Sequence, residues 1–301
     1  MSTTTHPPYT GAYTALVTPF DNNNEIHWDD LRNLVEHQIT NGINGLVSVG
    51  TTGESPTLDT SEHLEVIART LEYARHRVPV LAGTGSNSTT EAIALTRHAD
   101  QAGADAFLLV APYYNRPTQE GIYEHFHALA DSTAKPIILY SIPSRCGVEI
   151  ATDTIARLHS RHPNIIGIKE AGGSCDKVSQ IARTLGPRFL IHSGDDALTL
   201  PFIALGAHGV ISVASNWLPR EITQLVHHAR TNNTAAALHQ HNQLADTFKK
   251  LSIETNPVPI KHILARTHLI STPNVRLPLT PLTPASRATL DAHLNTHGKN
   301  N

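Results

Sequence analysis

The sequence has little that would mark it for export, for a membrane or for a nucleic acid. Its 301 residues contain two cysteines, Cys146 and Cys175, too few for a disulfide framework. The first Lys or Arg is Arg32, so the charged start of a secretory signal is missing. No apolar run approaches the roughly 18 residues that cross a bilayer. The longest, Ala106 to Ala111, is strand-sized. Neither charge sign dominates: 23 Lys and Arg against 26 Asp and Glu leave a net charge of −3, no footprint for nucleic acid or an anionic membrane. With 40% hydrophobic and 16% charged residues the chain can build a sizeable core. These absences leave a cytoplasmic globular protein that acts on a small molecule.

Histidine is the exception, at 20 residues. No His-Glu-x-x-His pair occurs, and the close pairs His125/His127, His227/His228 and His239/His241 fall in helix-like segments with polar neighbours. They read as surface histidines, and no metal site is expected. Gly50-x-x-Gly53 and Gly83-Thr84-Gly85 complete neither a dinucleotide fingerprint nor a phosphate loop, so no nucleotide cofactor is expected.

Short aliphatic runs alternate with segments of three-to-four-residue apolar periodicity, the signature of repeated βα units. Ala12–Thr18, Gly45–Val49, Val78–Ala82, Ala106–Val110, Ile137–Ser141, Ile165–Lys169, Phe189–Ser193 and Gly209–Val213 read as strands without polar alternation, buried on both faces. Helical patterns such as His27–Asn41, Ser61–Arg75, Thr89–Ala102, Gln119–Ser132 and Asp176–Leu185 lie between them, with starts marked at Thr60-Ser61-Glu62 and Ser88-Thr89-Thr90-Glu91. Eight such units predict a closed (β/α)8 TIM barrel over residues 1–231. Three further helical patterns, Ala235–Ile253, Pro257–Thr267 and Ser286–Asn295, predict a C-terminal helical region over 232–301. No flexible linker separates the two, so the helices should pack on the barrel or on an adjacent subunit.

Barrel enzymes carry their chemistry at the carboxyl ends of the strands. Of seven lysines, Lys169 alone is embedded in an apolar strand, Ile165-Ile166-Gly167-Ile168-Lys169-Glu170-Ala171. A lysine stripped of water there has a lowered pKa and a neutral amine able to form a Schiff base with a carbonyl. A buried Lys169–Glu170 ion pair is the competing reading, although successive strand residues point to opposite faces. Strand five ends in Tyr140 with Arg145 on the loop after it, strand two in the hydroxyls Thr51 and Thr52, and strand four in the aromatic pair Tyr113-Tyr114. A phenol can move protons when hydroxyls relay them. Taken singly, Tyr140 could equally be a core tyrosine and Arg145 a surface charge. Asp195 and Asp196, where strand seven ends, read more readily as helix caps than as a catalytic or metal-binding carboxylate pair.

Together, Gly50-Thr51-Thr52-Gly53-Glu54-Ser55, Tyr113-Tyr114-Asn115-Arg116-Pro117, Tyr140-x-x-Pro143-Ser144-Arg145-x-Gly147, Ile168-Lys169-Glu170-Ala171 and Gly209-Val210-Ile211-Ser212-Val213 resemble the dihydrodipicolinate synthase family of pyruvate-dependent class I aldolases. The resemblance extends through Asn256-Pro257-Val258-Pro259-Ile260-Lys261 and Leu277-Pro278-Leu279-Thr280-Pro281-Leu282, nearly the whole chain. It implies that Lys169 forms an imine with pyruvate, whose enamine adds to L-aspartate 4-semialdehyde, and that Tyr140, Thr52 and Tyr114 relay protons. Tyr114 would reach a neighbouring subunit's site, making a homo-oligomer, usually a tetramer built as a dimer of dimers. Thr51 and Thr52 would hold the pyruvate carboxylate, Gly194 and Ile211 would make backbone contacts near the imine, and Arg145 would receive the aldehyde's carboxylate through its planar fork.

Ser55, His63, Asn87, Glu91 and Tyr113 match a site between subunits where L-lysine inhibits many members, whereas Pro56 and Thr60 replace the alanine and histidine of some sensitive ones. Ser141 and Cys146 also depart from the common asparagine and threonine, and Cys146 reads as an inert loop residue. Two other readings compete: a sugar-acid lyase of the N-acetylneuraminate lyase or 2-keto-3-deoxygluconate aldolase type, and a non-catalytic barrel that binds keto acids. Arg145 within Pro-Ser-Arg-x-Gly argues against the lyases, and the joint presence of Lys169, Tyr140, Thr52 and Tyr114 against the silent barrel.

Overall fold

The computed structural model describes residues 9–297; residues 1–8 and 298–301, the outer ends of the expected barrel and helical regions, lie outside the described residues. Eight parallel strands run β1 (Gly11–Ala15), β2 (Gly45–Ser48), β3 (Val80–Gly83), β4 (Ala106–Val110), β5 (Ile137–Ser141), β6 (Ile165–Glu170), β7 (Leu190–Ser193) and β8 (Gly209–Ser212). They pair in chain order, and β8 closes on β1. The expected TIM barrel is therefore the observed one. Around it lie α1 (Trp28–Thr40), α2 (Thr60–Ala74), α3 (Thr89–Gln101), α4 (Gln119–Ala130), the short α5 (Pro143–Cys146), α6 (Thr152–Arg161), α7 (Cys175–Leu185), α8 (Thr199–Ala204) and α9 (Pro219–Arg230). The C-terminal region adds α10 (Thr234–Leu251), α11 (Val258–Arg266) and α12 (Pro284–His297).

Element ends differ from the sequence reading where local chemistry overrides apolar periodicity. Helix α2 is capped by Asp59, not by the Thr60-Ser61 pair: Asp59 accepts from Glu62 N at 2.9 Å and Glu62 accepts from Asp59 N at 3.0 Å, a reciprocal capping box. Ser88 caps α3 as expected. Helix α6 is preceded by Ala151, which offers no side-chain cap, and so shows no start signal in the sequence.

The strands are buried on both faces, and the apolar residues divide accordingly. Tyr13, Val47, Leu81, Leu108, Ile138 and Ile211 fill the barrel interior. Phe107, Leu109, Ile137, Leu139 and Ile168 face outward against Ile122, Phe126, Ile155 and Ile181 of the helices. Register then places the chemistry: Tyr140 of β5 pairs with Lys169 of β6, and Ser141 with Glu170.

The C-terminal helices pack on the barrel. Lys261 of α11 is fully buried, and its Nζ donates to Glu54 Oε1 at 2.5 Å and to the Asn274 carbonyl at 2.7 Å. Arg276 makes a two-pronged pair with Glu62, 2.6 Å in each branch, and its backbone N–H donates to Glu54. These contacts join the C-terminal segment to the loop after β2. Among the described residues, no helix is long and apolar enough to cross a membrane. Within the three close pairs, His125 departs from the surface reading: it is buried, with its Nδ1 2.9 Å from the Thr89 hydroxyl.

Candidate active site

A cleft of about 220 Å³ opens at the carboxyl ends of the strands, lined by Thr51, Thr52, Tyr140, Arg145, Lys169, Gly194 and Asp196 together with α10 residues. Lys169 is its centre. The side chain is 5% exposed and its Nζ lies 4.3 Å from the centroid of the Tyr140 ring. Burial brings its pKa down to about 8; Asp196 opposes that shift and Arg145 assists it. Among the described residues Lys169 takes part in no ion pair. Its neighbour Glu170 turns to the other face of β6, where Oε1 accepts from Gly172 N at 2.7 Å. The competing Lys169–Glu170 ion pair is absent, and strand alternation is the reason.

Tyr140 is 4% exposed and burial pushes its pKa up to about 12, with the Thr51 hydroxyl and the Arg145 charge pulling the other way. At neutral pH it is a protonated phenol beside the lysine. Thr52 is buried, and its Oγ1 accepts from Asn256 Nδ2 at 3.0 Å. Asn256 arrives from the segment between α10 and α11, and its carbonyl accepts from Arg145 Nη2 at 3.2 Å. The exposed Arg145 is thus aimed across the cleft mouth by a backbone oxygen.

Gly194 lines the cleft for a steric reason. A Cβ there would stand 2.6 Å from Ala171 Cβ and 3.1 Å from Lys169 Cε, so any side chain would displace the lysine stem. Of the two aspartates, Asp195 is the helix cap, accepting from Ala197 N at 2.9 Å. Asp196 instead accepts from Val213 N and Ala214 N at 3.0 Å each, tying the end of β8 to the cleft. Burial raises its pKa. Cys146 is buried, its thiol donates to Ala111 O at 3.3 Å, and burial pushes it up to about 11, an inert group as expected.

The remaining expected residues divide into two groups. Ile211 is buried in the barrel interior while Val213 forms the cleft wall beside it. Tyr114 does not line the cleft of its own chain: it is 90% exposed, with a left-handed backbone at φ 71°. Ser55, His63, Asn87, Glu91 and Tyr113 are not among the residues lining the cleft. His63 Nε2 donates to the Gly83 carbonyl, 2.8 Å away, and burial lowers its pKa against the pull of that bond and of Glu91. Glu91 accepts from the Ser86 hydroxyl, and Asn115, beside Tyr114, donates to the Asn87 carbonyl at 2.9 Å.

Phe248, Leu251, Ser252 and Asn256 complete the cleft wall and were not singled out from sequence. The signal available was Asn256 at the head of its Asn-Pro-Val-Pro-Ile-Lys stretch, and the Phe248/Leu251 spacing on one face of a helix.

A family model described as the dihydrodipicolinate synthetase family matches residues 8–297. A curated protein of Syntrophus aciditrophicus (strain SB), 4-hydroxy-tetrahydrodipicolinate synthase, is 50% identical over 96% of this chain and 99% of its own. The solved 4-hydroxy-tetrahydrodipicolinate synthase of Methylacidiphilum fumariolicum SolV superposes with a TM-score of 0.93 at 52% identity, covering 95% of each chain. That of Cyanidioschyzon merolae, solved with lysine bound, gives 0.94 at 37% identity over 97% of this chain and 99% of that one.

Proposed function

This chain belongs to the dihydrodipicolinate synthetase family, and from that premise we infer how its cleft performs the family's reaction. The protein is a lyase of the class I aldolase type: it condenses pyruvate with L-aspartate 4-semialdehyde to 4-hydroxy-tetrahydrodipicolinate, in the diaminopimelate route to lysine. The observation that carries the residue assignment is Lys169, a buried amine with a lowered pKa that opens on a cleft, faces a phenol and makes no ion pair among the described residues.

In this reading the neutral Lys169 amine attacks the pyruvate ketone, and water leaves as the imine forms. Loss of a methyl proton gives the enamine, whose carbon attacks the aldehyde; the semialdehyde's own amino group then adds to the imine carbon and expels the Lys169 amine, closing the ring. Tyr140 passes these protons; the hydroxyl hydrogen-bonded to it is that of Thr51, Thr52 is the next residue on the same loop, and Tyr114 takes the protons onward. Because Tyr114 projects into solvent from its own chain, the relay is completed by the Tyr114 of a second copy, which supports a homo-oligomer, a dimer or a dimer of dimers. Thr51 and Thr52 hold the pyruvate carboxylate, with backbone contacts from the Gly194 and Ile211 positions. Arg145 takes the aldehyde's carboxylate, the task that separates this enzyme from sugar-acid lyases.

The test is pyruvate-dependent consumption of L-aspartate 4-semialdehyde by purified protein, coupled to reduction of the product and read as nicotinamide absorbance. Activity that disappears in Lys169→Ala is expected. A folded protein that traps pyruvate on Lys169 under borohydride yet consumes no semialdehyde would overturn the choice of aldehyde, and no trapping at all would overturn the Schiff base.

L-lysine is the inhibitor we assign to the cluster of Ser55, His63, Asn87, Glu91 and Tyr113. The support is chemical: the exposed Glu91 carboxylate suits an ammonium, and the Asn115–Asn87 bond links the cluster to the Tyr114 loop. Activity unchanged at saturating lysine would remove this assignment.

A further inference from the structure

On the barrel face opposite the cleft, two helices end against each other. Asp131 follows α4 as its C-cap and His162 follows α6 as its C-cap, while His127 lies in the last turn of α4. Nδ1 of His127 stands 2.6 Å from Nε2 of His162. The outer nitrogens of the two rings face one carboxylate: His127 Nε2 lies 3.8 Å from Asp131 Oδ2, and His162 Nδ1 lies 3.6 Å from Asp131 Oδ1. We propose that His127, His162 and Asp131 form a binding site for one transition-metal dication of the Zn2+ class.

Proton arithmetic leads there. When both outer nitrogens carry the hydrogens that Asp131 attracts, both inner nitrogens present lone pairs to the same point. Without a metal one ring turns a hydrogen inward and the contact is an N–H···N bond; with both hydrogens outward, the two lone pairs can converge on one metal ion. Metal-binding histidines commonly turn their second N–H to a carboxylate, and here one carboxylate faces both. A tetrahedral zinc with bonds of about 2.05 Å places its ligand nitrogens about 3.3 Å apart, so the rings open by about 0.7 Å and the inward hydrogen passes to the outer nitrogen. The His127 side chain is 30% exposed, which leaves it room to move. An open groove lined by Asp131, Thr133, His162 and Asn164 admits the waters that complete the shell.

Two further features favour a cation of this kind. Both helices direct the negative ends of their dipoles at the site. Imidazole nitrogen selects zinc, copper or nickel over magnesium and calcium. The sequence reading expected no metal because it inspected histidines close in sequence. This pair is 35 residues apart and meets only when two helices end side by side. A metal there would fasten the end of α4 to the turn that enters β6, the strand carrying Lys169.

The experiment uses the full chain, stripped with a chelator and titrated with Zn2+ by calorimetry, with thermal unfolding read at each end point. One Zn2+ per chain at micromolar concentration and a rise in melting temperature are expected. His127→Gln and His162→Gln should abolish that event, and Asp131→Asn should weaken it about 10–100-fold. Synthase activity without metal should be unchanged in all three, which certifies their fold. Should His162→Gln fail to fold, the partly exposed His127→Gln decides. Undiminished uptake in the variants, or no stoichiometric uptake by the parent, overturns the proposal.

Discussion

Lys169 and Lys261 are both buried, both have pKa values lowered by burial, and both sit near the same loop after β2. Their surroundings differ in kind. Lys169 opens on a cleft and faces the Tyr140 ring, with no carboxylate in contact. Lys261 is enclosed by the Glu54 carboxylate, the Asn274 carbonyl and the Phe20 ring, whose centroid is 4.0 Å from Nζ. A depressed amine becomes a nucleophile only where a carbonyl can reach it; with a carboxylate against it, the same depression describes a structural clasp. The clasp has its own task, since Glu54 lies two residues after Thr52 and Lys261 five after Asn256, so the pair fixes the two segments that meet at the relay.

The two lysines should therefore fail in different ways. Lys169→Ala should lower turnover by at least about 10³-fold and abolish borohydride trapping of pyruvate, with an unchanged melting temperature. Lys261→Met should leave borohydride trapping in place and act through the fold, costing about 3–5 kcal/mol of stability because it strands a buried Glu54 charge. Denaturant unfolding reads this directly. Replacing both partners, Lys261→Met with Glu54→Leu, should restore much of that stability, because apolar residues of similar volume often substitute for a buried pair. If the double variant is no more stable than the single one, the pair is not an isolated clasp but part of a wider polar network through Arg276.

How much of this was legible in the sequence follows the range of the interactions. The barrel was legible because each strand is an unbroken apolar run and each helix a local periodicity. Lys169 was legible because its strand is local too, and alternation alone separated it from Glu170. The partnership of Lys261 with Glu54 spans 207 residues and that of Asn256 with Thr52 spans 204, so neither leaves a spacing to read. Lys261 in particular looked like one more helix lysine, because only its partner explains its burial. Gly194 was placed by resemblance, but the reason for it is steric, a Cβ against the stem of Lys169, which no motif states.

The pH dependence of imine formation sharpens the same contrast. Lys169 titrates at about 8, below the ordinary lysine value, so about a tenth of the amine is neutral at pH 7. The rate of pyruvate trapping should rise about tenfold per pH unit below 8 and level off above it. Arg145 lowers this pKa by its charge, so Arg145→Leu should move the inflection upward while leaving trapping itself intact. A rate still climbing at pH 10 would show that the amine is not desolvated in solution.

The smallest effect is expected where the two regions meet, at Asn256. Its amide donates to Thr52 Oγ1, which satisfies that oxygen as an acceptor and leaves the Thr52 hydrogen free to be passed onward. In the relay proposed above, Asn256 sets the direction of the Thr52 hydroxyl without touching the protons passed. Asn256→Ala removes a hydrogen bond worth about 1 kcal/mol, so turnover should fall about fivefold. Asn256→Asp is the more informative variant. A carboxylate can only accept, so it would turn the Thr52 hydrogen toward itself and away from the cleft. Turnover should then fall further than in Asn256→Ala, although the aspartate is closer in shape to asparagine. Equal losses in the two variants would mean that Asn256 holds the C-terminal segment in place and leaves the relay's direction to other groups.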